Sequence, residues 1–166
     1  VEVTNYDVPT ITPITDLKIC DNTIDGNDTN GETTFNLAIK TTEILNGQTN
    51  VNVTYHLLEA NAISGTNAIV TYTGLSRIIY VRLFNTLTNC YNTTSFNAVV
   101  TPLPVVNNVV TLRQCDDDTD AISDFNLTEA NILLSNQSNL IFKYYSTQTN
   151  AQNDVAQITN DTIYNS

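Results

Sequence analysis

The chain contains an internal repeat, which limits the folds open to it more than any other feature. Residues 17–21 (Leu-Lys-Ile-Cys-Asp) match residues 112–116 (Leu-Arg-Gln-Cys-Asp) at an offset of 95, and Phe-Asn-Leu at 35–37 matches 125–127 at an offset of 90. Further matches at an offset of 89 are Gln48 with Gln137, Tyr55 with Tyr144, Asn61-Ala62 with Asn150-Ala151, and Ile69 with Ile158. A period of about 95 residues predicts small domains in tandem, since solenoid repeats are only roughly 20–50 residues long.

Two prolines set the expected boundaries of the repeats. Pro9 matches Pro104 at the same offset of 95 as the cysteines. We therefore expect residues 1–13 to be the closing strand of a preceding repeat with its linker, residues 14–107 to be a complete repeat, and residues 108–166 to be a partial second repeat.

The composition and the residue patterns favour β-structure. Asn and Thr make up 51 of the 166 residues, and Thr suits strands while Asn suits turns. Apolar residues alternate along 51–57, 77–84 and 93–101, as they do in strands, whereas only 41–45 and 128–134 look helical. The sequence predicts an all-β fold: tandem immunoglobulin-like antiparallel β-sandwich repeats, each with one short helical turn.

The charge balance and the residue types exclude several classes of function. The net charge is −11, which would repel nucleic acid and anionic lipid surfaces. No apolar run approaches the length of a membrane span, so we expect no direct membrane insertion. The single histidine, His56, matches Tyr145 in the second copy and has no paired nucleophile motif. We therefore do not expect an enzyme.

The cysteines fall at defined places in the repeat. Cys20 and Cys90 both lie in the complete repeat, and Cys115 repeats Cys20. We predict a disulfide between Cys20 and Cys90, which points to an oxidising compartment, and a free Cys115 whose partner would lie beyond residue 166. The alternative is a pair of buried free thiols in a cytosolic protein.

Acidic residues follow each repeated cysteine and suggest a metal site. Hard Ca²⁺ takes oxygen ligands from flexible loops, and clustered carboxylates repel one another without a cation or screening water. The candidate calcium ligands are Asp21, Asp25, Asp28, Asp116, Asp118 and Asp120. Neither copy fits the EF-hand pattern, and the alternative is an acidic surface turn without metal.

Seven short segments, in order along the chain, resemble those of a known group of proteins. They are Cys20-Asp21, Phe35-Asn36-Leu37, Val53-Thr54-Tyr55, Asn61-Ala62, Ile79-Tyr80-Val81-Arg82, Asn89-Cys90-Tyr91 and Pro102-Leu103-Pro104. This string resembles the repeats of very large Bacteroidota surface proteins of the Flavobacteria type, which are similar to gliding-motility adhesins. The resemblance implies a secreted protein exported by the type IX secretion system and displayed on the cell surface.

Together these features predict a non-enzymatic extracellular segment of an adhesin or stalk that gives reach and display. Its expected partners are neighbouring repeats of the same polypeptide, with surface glycans or other cells as further candidates. Two alternatives stay open: a carbohydrate-binding module array that uses exposed tyrosines, and a subunit of an extracellular filament completed by strand exchange.

Overall fold

The computed structural model describes residues 6–23, 26–115 and 122–165. The chain divides into two compact units, Val1–Leu103 and Pro104–Ser166. Residues 104–107, expected in the first repeat, therefore belong to the second unit. Most of the closing strand expected within residues 1–13 lies outside the described residues.

The first unit contains six strands and three short helical segments among its described residues. In chain order these are β1 Leu17–Cys20, β2 Thr33–Asn36, a 3₁₀ turn Leu37–Lys40, α1 Thr41–Leu45, β3 Val51–His56, α2 Glu59–Ser64, β4 Thr71–Gly74, β5 Arg77–Asn85 and β6 Tyr91–Thr101. Four strands form one sheet in the order β1-β6-β5-β3, and β2 pairs with β4 in a second, two-stranded sheet. The predicted helix at 41–45 is confirmed.

The core of the first unit lies on one face of the central strand β5. Ile79, Val81 and Leu83 alternate along it and are at most 1% exposed, because successive side chains of a strand point to opposite faces. Phe96 of β6 and Phe35 of β2 belong to the same buried cluster. Among the described residues, none beyond Val100 belongs to this cluster, so the first unit has a hydrophobic core of its own.

Two features differ from the predicted antiparallel all-β repeat. β1 pairs with β6 in parallel, with Leu17 beside Ala98 and Cys20 beside Thr101, so the main sheet is mixed. The unit also has a second helix, α2, which begins after Leu58 and ends at Gly65 in the left-handed conformation. Arg82 closes this helix by donating to the carbonyls of its last turn, among them that of Ala62 at 3.0 Å. The fold is therefore mostly β with a mixed sheet and a few short helices.

The second unit repeats the local structure of the first. Its described elements are β7 Asp124–Phe125, a 3₁₀ turn Leu127–Glu129, α3 Ala130–Leu134, α4 Gln148–Asn153 and β8 Tyr164–Asn165. Phe125 pairs with Tyr164 across β7 and β8, as Phe35 pairs with Tyr72 across β2 and β4. In both copies an asparagine caps the 3₁₀ turn, because its side-chain oxygen accepts a backbone N–H two residues on at 3.1 Å.

Candidate functional site

The two ends of the main sheet in the first unit carry different functional groups. The exit end is the end of the main sheet at which both β1 and β6 finish, and it holds Cys20 beside Thr101. We call the other end, at the β5–β6 hairpin, the hairpin end; there the Asn85 N–H donates to the Cys90 carbonyl at 2.9 Å. The Asn92 side chain donates to the carbonyl of Pro9 at 3.4 Å, so the segment that leads into the unit begins at the hairpin end.

The predicted disulfide between Cys20 and Cys90 does not form, and all three cysteines are free. Cys90 directly precedes the 11-residue strand β6, whereas Cys20 lies beside its last residue, Thr101. At about 3.3 Å per residue, the two cysteines are roughly 35 Å apart, and a disulfide needs Cα atoms within about 7 Å. The parallel pairing of β1 with β6 is therefore incompatible with this bond inside one unit.

The linker residue after the proline is bound to the turn that follows α1. The Thr10 N–H donates to Oε1 of Gln48 at 2.8 Å, and Nε2 of Gln48 donates to the Thr10 carbonyl at 3.0 Å. Both backbone groups of Thr10 are thus satisfied by one side chain. Nε2 of Gln48 also donates to the Leu45 carbonyl at 3.1 Å, which fixes the amide on the last residue of α1.

The second copy also binds both backbone groups of the residue after its linker proline, with two side chains in place of one. The Val105 N–H donates to Oε1 of Gln137 at 2.9 Å, and the Ser135 hydroxyl donates to the Val105 carbonyl at 2.8 Å. Asn107 adds a backbone bond to the Leu134 carbonyl at 2.8 Å. Sequence reasoning missed this site, although the match of Gln48 with Gln137 at an offset of 89 was the signal for it.

The acidic turn of the first copy is organised by Asp21. This residue is only 3% exposed, and its Oδ2 accepts from the Gly31 N–H at 2.8 Å, so the carboxylate joins the two ends of the loop. Its Oδ1 is buried and has no hydrogen-bond partner among the described residues. Asp28 is half-buried in the same loop.

Four of the six candidate calcium ligands belong to segments that the structure does not describe. Asp25, Asp116, Asp118 and Asp120 lie outside the described residues. Within the described ranges, no three His, Cys, Asp or Glu side chains form a group that could hold a metal ion.

His56 has a structural environment. Its ring is fully buried; Nδ1 donates to the Thr66 carbonyl at 2.8 Å, so Nε2 accepts from the Thr54 hydroxyl at 2.9 Å. Burial, together with the nearby Arg82 charge, lowers the pKa of His56, against the opposing effect of the Thr66 carbonyl. The ring is therefore held neutral between β3 and the loop after α2.

The strand tyrosines of the first unit mostly pack inward. Tyr55 is 5% exposed and shares a hydrogen bond of 2.8 Å with the Thr41 hydroxyl, while Tyr72 stacks on the buried Phe35. Tyr91 is 40% exposed, but the guanidinium of Arg82 lies 3.6 Å from its ring centre. One face of this ring is therefore already occupied. No helix within the described residues is long and apolar enough to cross a membrane.

These observations define a β-rich repeat module that binds its own linker and has three free cysteines. Cys20 lies at one end of the main sheet, beside Thr101, and Cys90 lies at the other end, directly before β6. Comparison with known families agrees with this class. The chain belongs to the family described as the Flavobacterium inter-domain disulphide bond domain, whose model matches residues 16–104 and again residues 111–166. The two matches confirm the repeat and support a Flavobacteria-type protein. No curated protein and no solved structure matches the chain.

Proposed function

We propose that this chain is a stretch of a non-enzymatic tandem array that serves as the stalk of an extracellular adhesin on the cell surface. Its work is reach and display, and its units are immunoglobulin-like sandwiches in which the β2–β4 sheet covers the core face of the main sheet. The clustering of Phe35 with Ile79 and Phe96 supports this packing. The net charge of −11 favours solubility and disfavours nucleic acid as a partner.

The repeated docking of the linker carries this proposal. In both copies the residue after the linker proline has its N–H and its carbonyl bound by the unit that follows, at Thr10 and again at Val105. Only Pro102 and Leu103 separate the last strand residue, Thr101, from the next proline. A linker this short and rich in proline is semi-rigid, which suits a spacer and not a flexible tether.

A matched pair of variants tests whether docking stiffens the array. In the 166-residue chain, Gln137 binds Val105 at the start of the second unit, whereas Gln48 binds Thr10 near the start of the first unit. We expect Gln137→Ala to speed amide exchange at Val105 about fivefold, since one hydrogen bond is worth about 1 kcal/mol. It should also make the two units tumble more independently in ¹⁵N relaxation. Gln48→Ala should leave both readouts unchanged. Amide exchange and tumbling in Gln137→Ala equal to those of the natural chain would refute the docking role.

Surface display is tested on intact cells that carry the protein. An antibody raised against the folded chain should label whole cells, and added protease should remove the label. Labelling that appears only after lysis would refute the extracellular location.

We also propose that the acidic turn after Cys20 binds Ca²⁺. Within the part of the chain that the structure describes, the buried Oδ1 of Asp21 has no hydrogen-bond partner, and an unsatisfied buried carboxylate oxygen is costly. A cation in this loop would satisfy it, and Ca²⁺ takes carboxylate and backbone oxygens. Asp28, and Asp25 from the sequence, supply further carboxylates in the same loop.

Thermal melting tests the calcium proposal. Millimolar Ca²⁺ should raise the melting temperature of the chain, and Asp21→Asn should remove that rise while its amide oxygen still accepts from Gly31. Asp16→Asn is the control, because Asp16 accepts from the Asn97 side chain at 2.9 Å outside the loop and should keep the full response. An equal calcium response in the natural chain and Asp21→Asn would refute the site.

A further inference from the structure

We infer that the first unit binds the carboxylate of an acidic sugar, such as a uronic acid, through Arg82 on the face of its main sheet opposite the core. This binding would add ligand recognition to reach and display. Because the site lies within one unit, it does not depend on the proposed cell-surface role.

The site is a hollow of about 250 Å³ beside the C-terminal end of α2. Arg82 and Phe84 line it because they alternate along β5 with the buried core residues and therefore lie on the opposite face of the sheet. Thr54, the register neighbour of Arg82 on β3, also lines it. The remaining lining residues are Ser64, Gly65 and Asn89. The hollow thus combines a cation and an aromatic ring with hydroxyl and amide groups.

The guanidinium of Arg82 is held in place by the protein itself. Its Nη1 donates to the carbonyl of Ala62 at 3.0 Å and to that of Ile63 at 2.6 Å. Its Cζ lies 3.6 Å from the centre of the Tyr91 ring, so one face of the guanidinium is stacked. A ligand that binds this group has little side-chain freedom to restrict, which favours affinity.

Arg82 has no counter-ion within the described part of the chain. The ion pairs found there join Lys40 to Glu43 and Lys143 to Asp154. The hydrogen bonds of Arg82 use Nη1 alone, so the edge formed by Nε and Nη2 is left for a ligand. Two parallel N–H donors on one guanidinium edge match the two oxygens of a carboxylate.

The second copy has a carboxylate at the corresponding place. At the offset of 89, Asp154 matches Gly65 and Lys143 matches Thr54. Gly65 and Asp154 each end a six-residue helix in the left-handed conformation, with φ of 72° and 50°. Asp154 accepts from the Lys143 ammonium at 2.7 Å. The second copy therefore supplies both the cation and the carboxylate, whereas the first copy supplies the cation and leaves the place of the carboxylate open.

The glycine at position 65 keeps the approach to the guanidinium clear. A Cβ atom on Gly65 would lie 3.4 Å from Nε of Arg82. A side chain there would therefore begin in contact with the guanidinium. Because Gly65 has no side chain, the oxygens of a ligand can come within hydrogen-bond distance of Nε.

The other lining groups favour an acidic sugar over a peptide carboxylate. The Thr54 hydroxyl donates to Nε2 of His56 at 2.9 Å, so its oxygen can accept from a sugar hydroxyl. The Asn89 side chain is exposed and can both donate and accept, while the Phe84 ring offers an apolar surface to the C–H groups of a sugar ring. The carboxylate side chain of a peptide brings no hydroxyl groups to these partners.

Titration of the 166-residue chain with glucuronate tests the site. In ¹⁵N NMR spectra, the Gly65 amide and the Arg82 Nε–H signals should shift to saturation with a Kd of about 1 mM, and glucose should leave them in place. Arg82→Gln should raise the Kd by at least about tenfold, because it removes a charge-assisted bidentate pair. Arg77→Gln is the control, since it removes the same charge from a guanidinium that donates to the Leu57 carbonyl at 2.7 Å outside the hollow.

Two variants at Gly65 test the site while Arg82 stays in place. Gly65→Asp puts a carboxylate where Asp154 lies in the second copy, so it should fill the site from within and abolish the response to glucuronate. It should also shift the Arg82 Nε–H signal in the direction that glucuronate does. Gly65→Asn is the matched control, because both residues tolerate the left-handed conformation but Asn brings no charge, and it should retain a response to glucuronate.

Four outcomes would overturn the inference. They are equal shifts with glucose and glucuronate, an unchanged Kd in Arg82→Gln, equal responses to glucuronate in the two Gly65 variants, and binding of acetate or of a short acidic peptide as tight as that of glucuronate. The last outcome would show that charge alone is recognised. The Gly65 variants decide the question if Arg82→Gln disturbs α2.

Discussion

Replacing Glu43 by Gln should destabilise the first unit, because the Glu43 carboxylate neutralises a buried lysine. Lys40 is 6% exposed, and its ammonium donates to the carboxylate of Glu43 and to the Thr15 hydroxyl at 2.8 Å. The same carboxylate accepts from the Thr15 N–H at 2.6 Å, which fixes the incoming segment on α1. Gln retains an acceptor for Thr15 but leaves the buried ammonium without its counter-charge.

The expected loss is about 1–2 kcal/mol near neutral pH. The bonds from Lys40 and from the Thr15 backbone lower the pKa of Glu43 from 4.5 to about 2. At about 1.36 kcal/mol per pKa unit the full shift would be worth roughly 3.4 kcal/mol. The Glu43 side chain is 34% exposed, so solvent screening reduces this to about 1–2 kcal/mol. Because the folded pKa lies below the unfolded one, the stabilisation is complete above about pH 4.5 and is lost as the pH falls towards 2.

Native-state hydrogen exchange at Val81 measures this effect on the first unit alone, because Val81 lies in the middle of β5. The difference in unfolding free energy between the natural chain and Glu43→Gln should shrink below about 0.5 kcal/mol near pH 2. The double variant Lys40→Met with Glu43→Gln removes both charges and should recover most of the loss at neutral pH. A difference that does not change with pH, or a double variant as unstable as the single one, would refute the reasoning.

Three further outcomes are expected. Phe35 is fully buried, so Phe35→Ala should lower the free energy of unfolding measured in urea by about 3–5 kcal/mol. Phe125 is half-buried, so Phe125→Ala should lower it clearly less. Equal losses in the two variants would contradict this expectation. The pKa of His56 is lowered in the fold, so the stabilisation that the neutral ring provides should be lost as the pH falls below about 6.5. The melting temperature should therefore fall less between pH 7.5 and pH 5 in His56→Asn than in the natural chain. Among the described residues of the second unit only Ala130 is a buried apolar side chain, so amide protection there should be lower than in the first unit, and equal protection would show that this burial does not set stability.

Local patterns predicted the elements that depend on nearby residues. The alternation from Arg77 onward predicted a buried central strand, and β5 Arg77–Asn85 lies between β6 and β3. The helix α1 Thr41–Leu45 followed from a Thr that could begin a helix of one or two turns. The helix α2 Glu59–Ser64 was missed because six residues with one acidic side chain carry little periodicity, although the repeated Asn-Ala pair within it was visible.

Long-range pairing could not be predicted from the same patterns. Counting two cysteines per repeat favours a bond between them, yet this count contains no information on which ends of the sheet they occupy. The parallel register of Leu17 with Ala98 joins residues about 80 positions apart, and no local pattern encodes that choice. The hydrogen bonds between Thr10 and Gln48 were not predicted either, because both residues look like ordinary polar loop positions.

The parallel neighbours β1 and β6 have a mechanical consequence. A tension along the array would pull the chain at the start of β1, near Leu17, and at the end of β6, at Thr101, in opposite directions along their shared axis. The register from Leu17 with Ala98 to Cys20 with Thr101 would then be loaded in shear, so that its hydrogen bonds must break together. Strands that are peeled apart release their bonds one by one at lower force, so this arrangement suits a unit that bears load through its two ends.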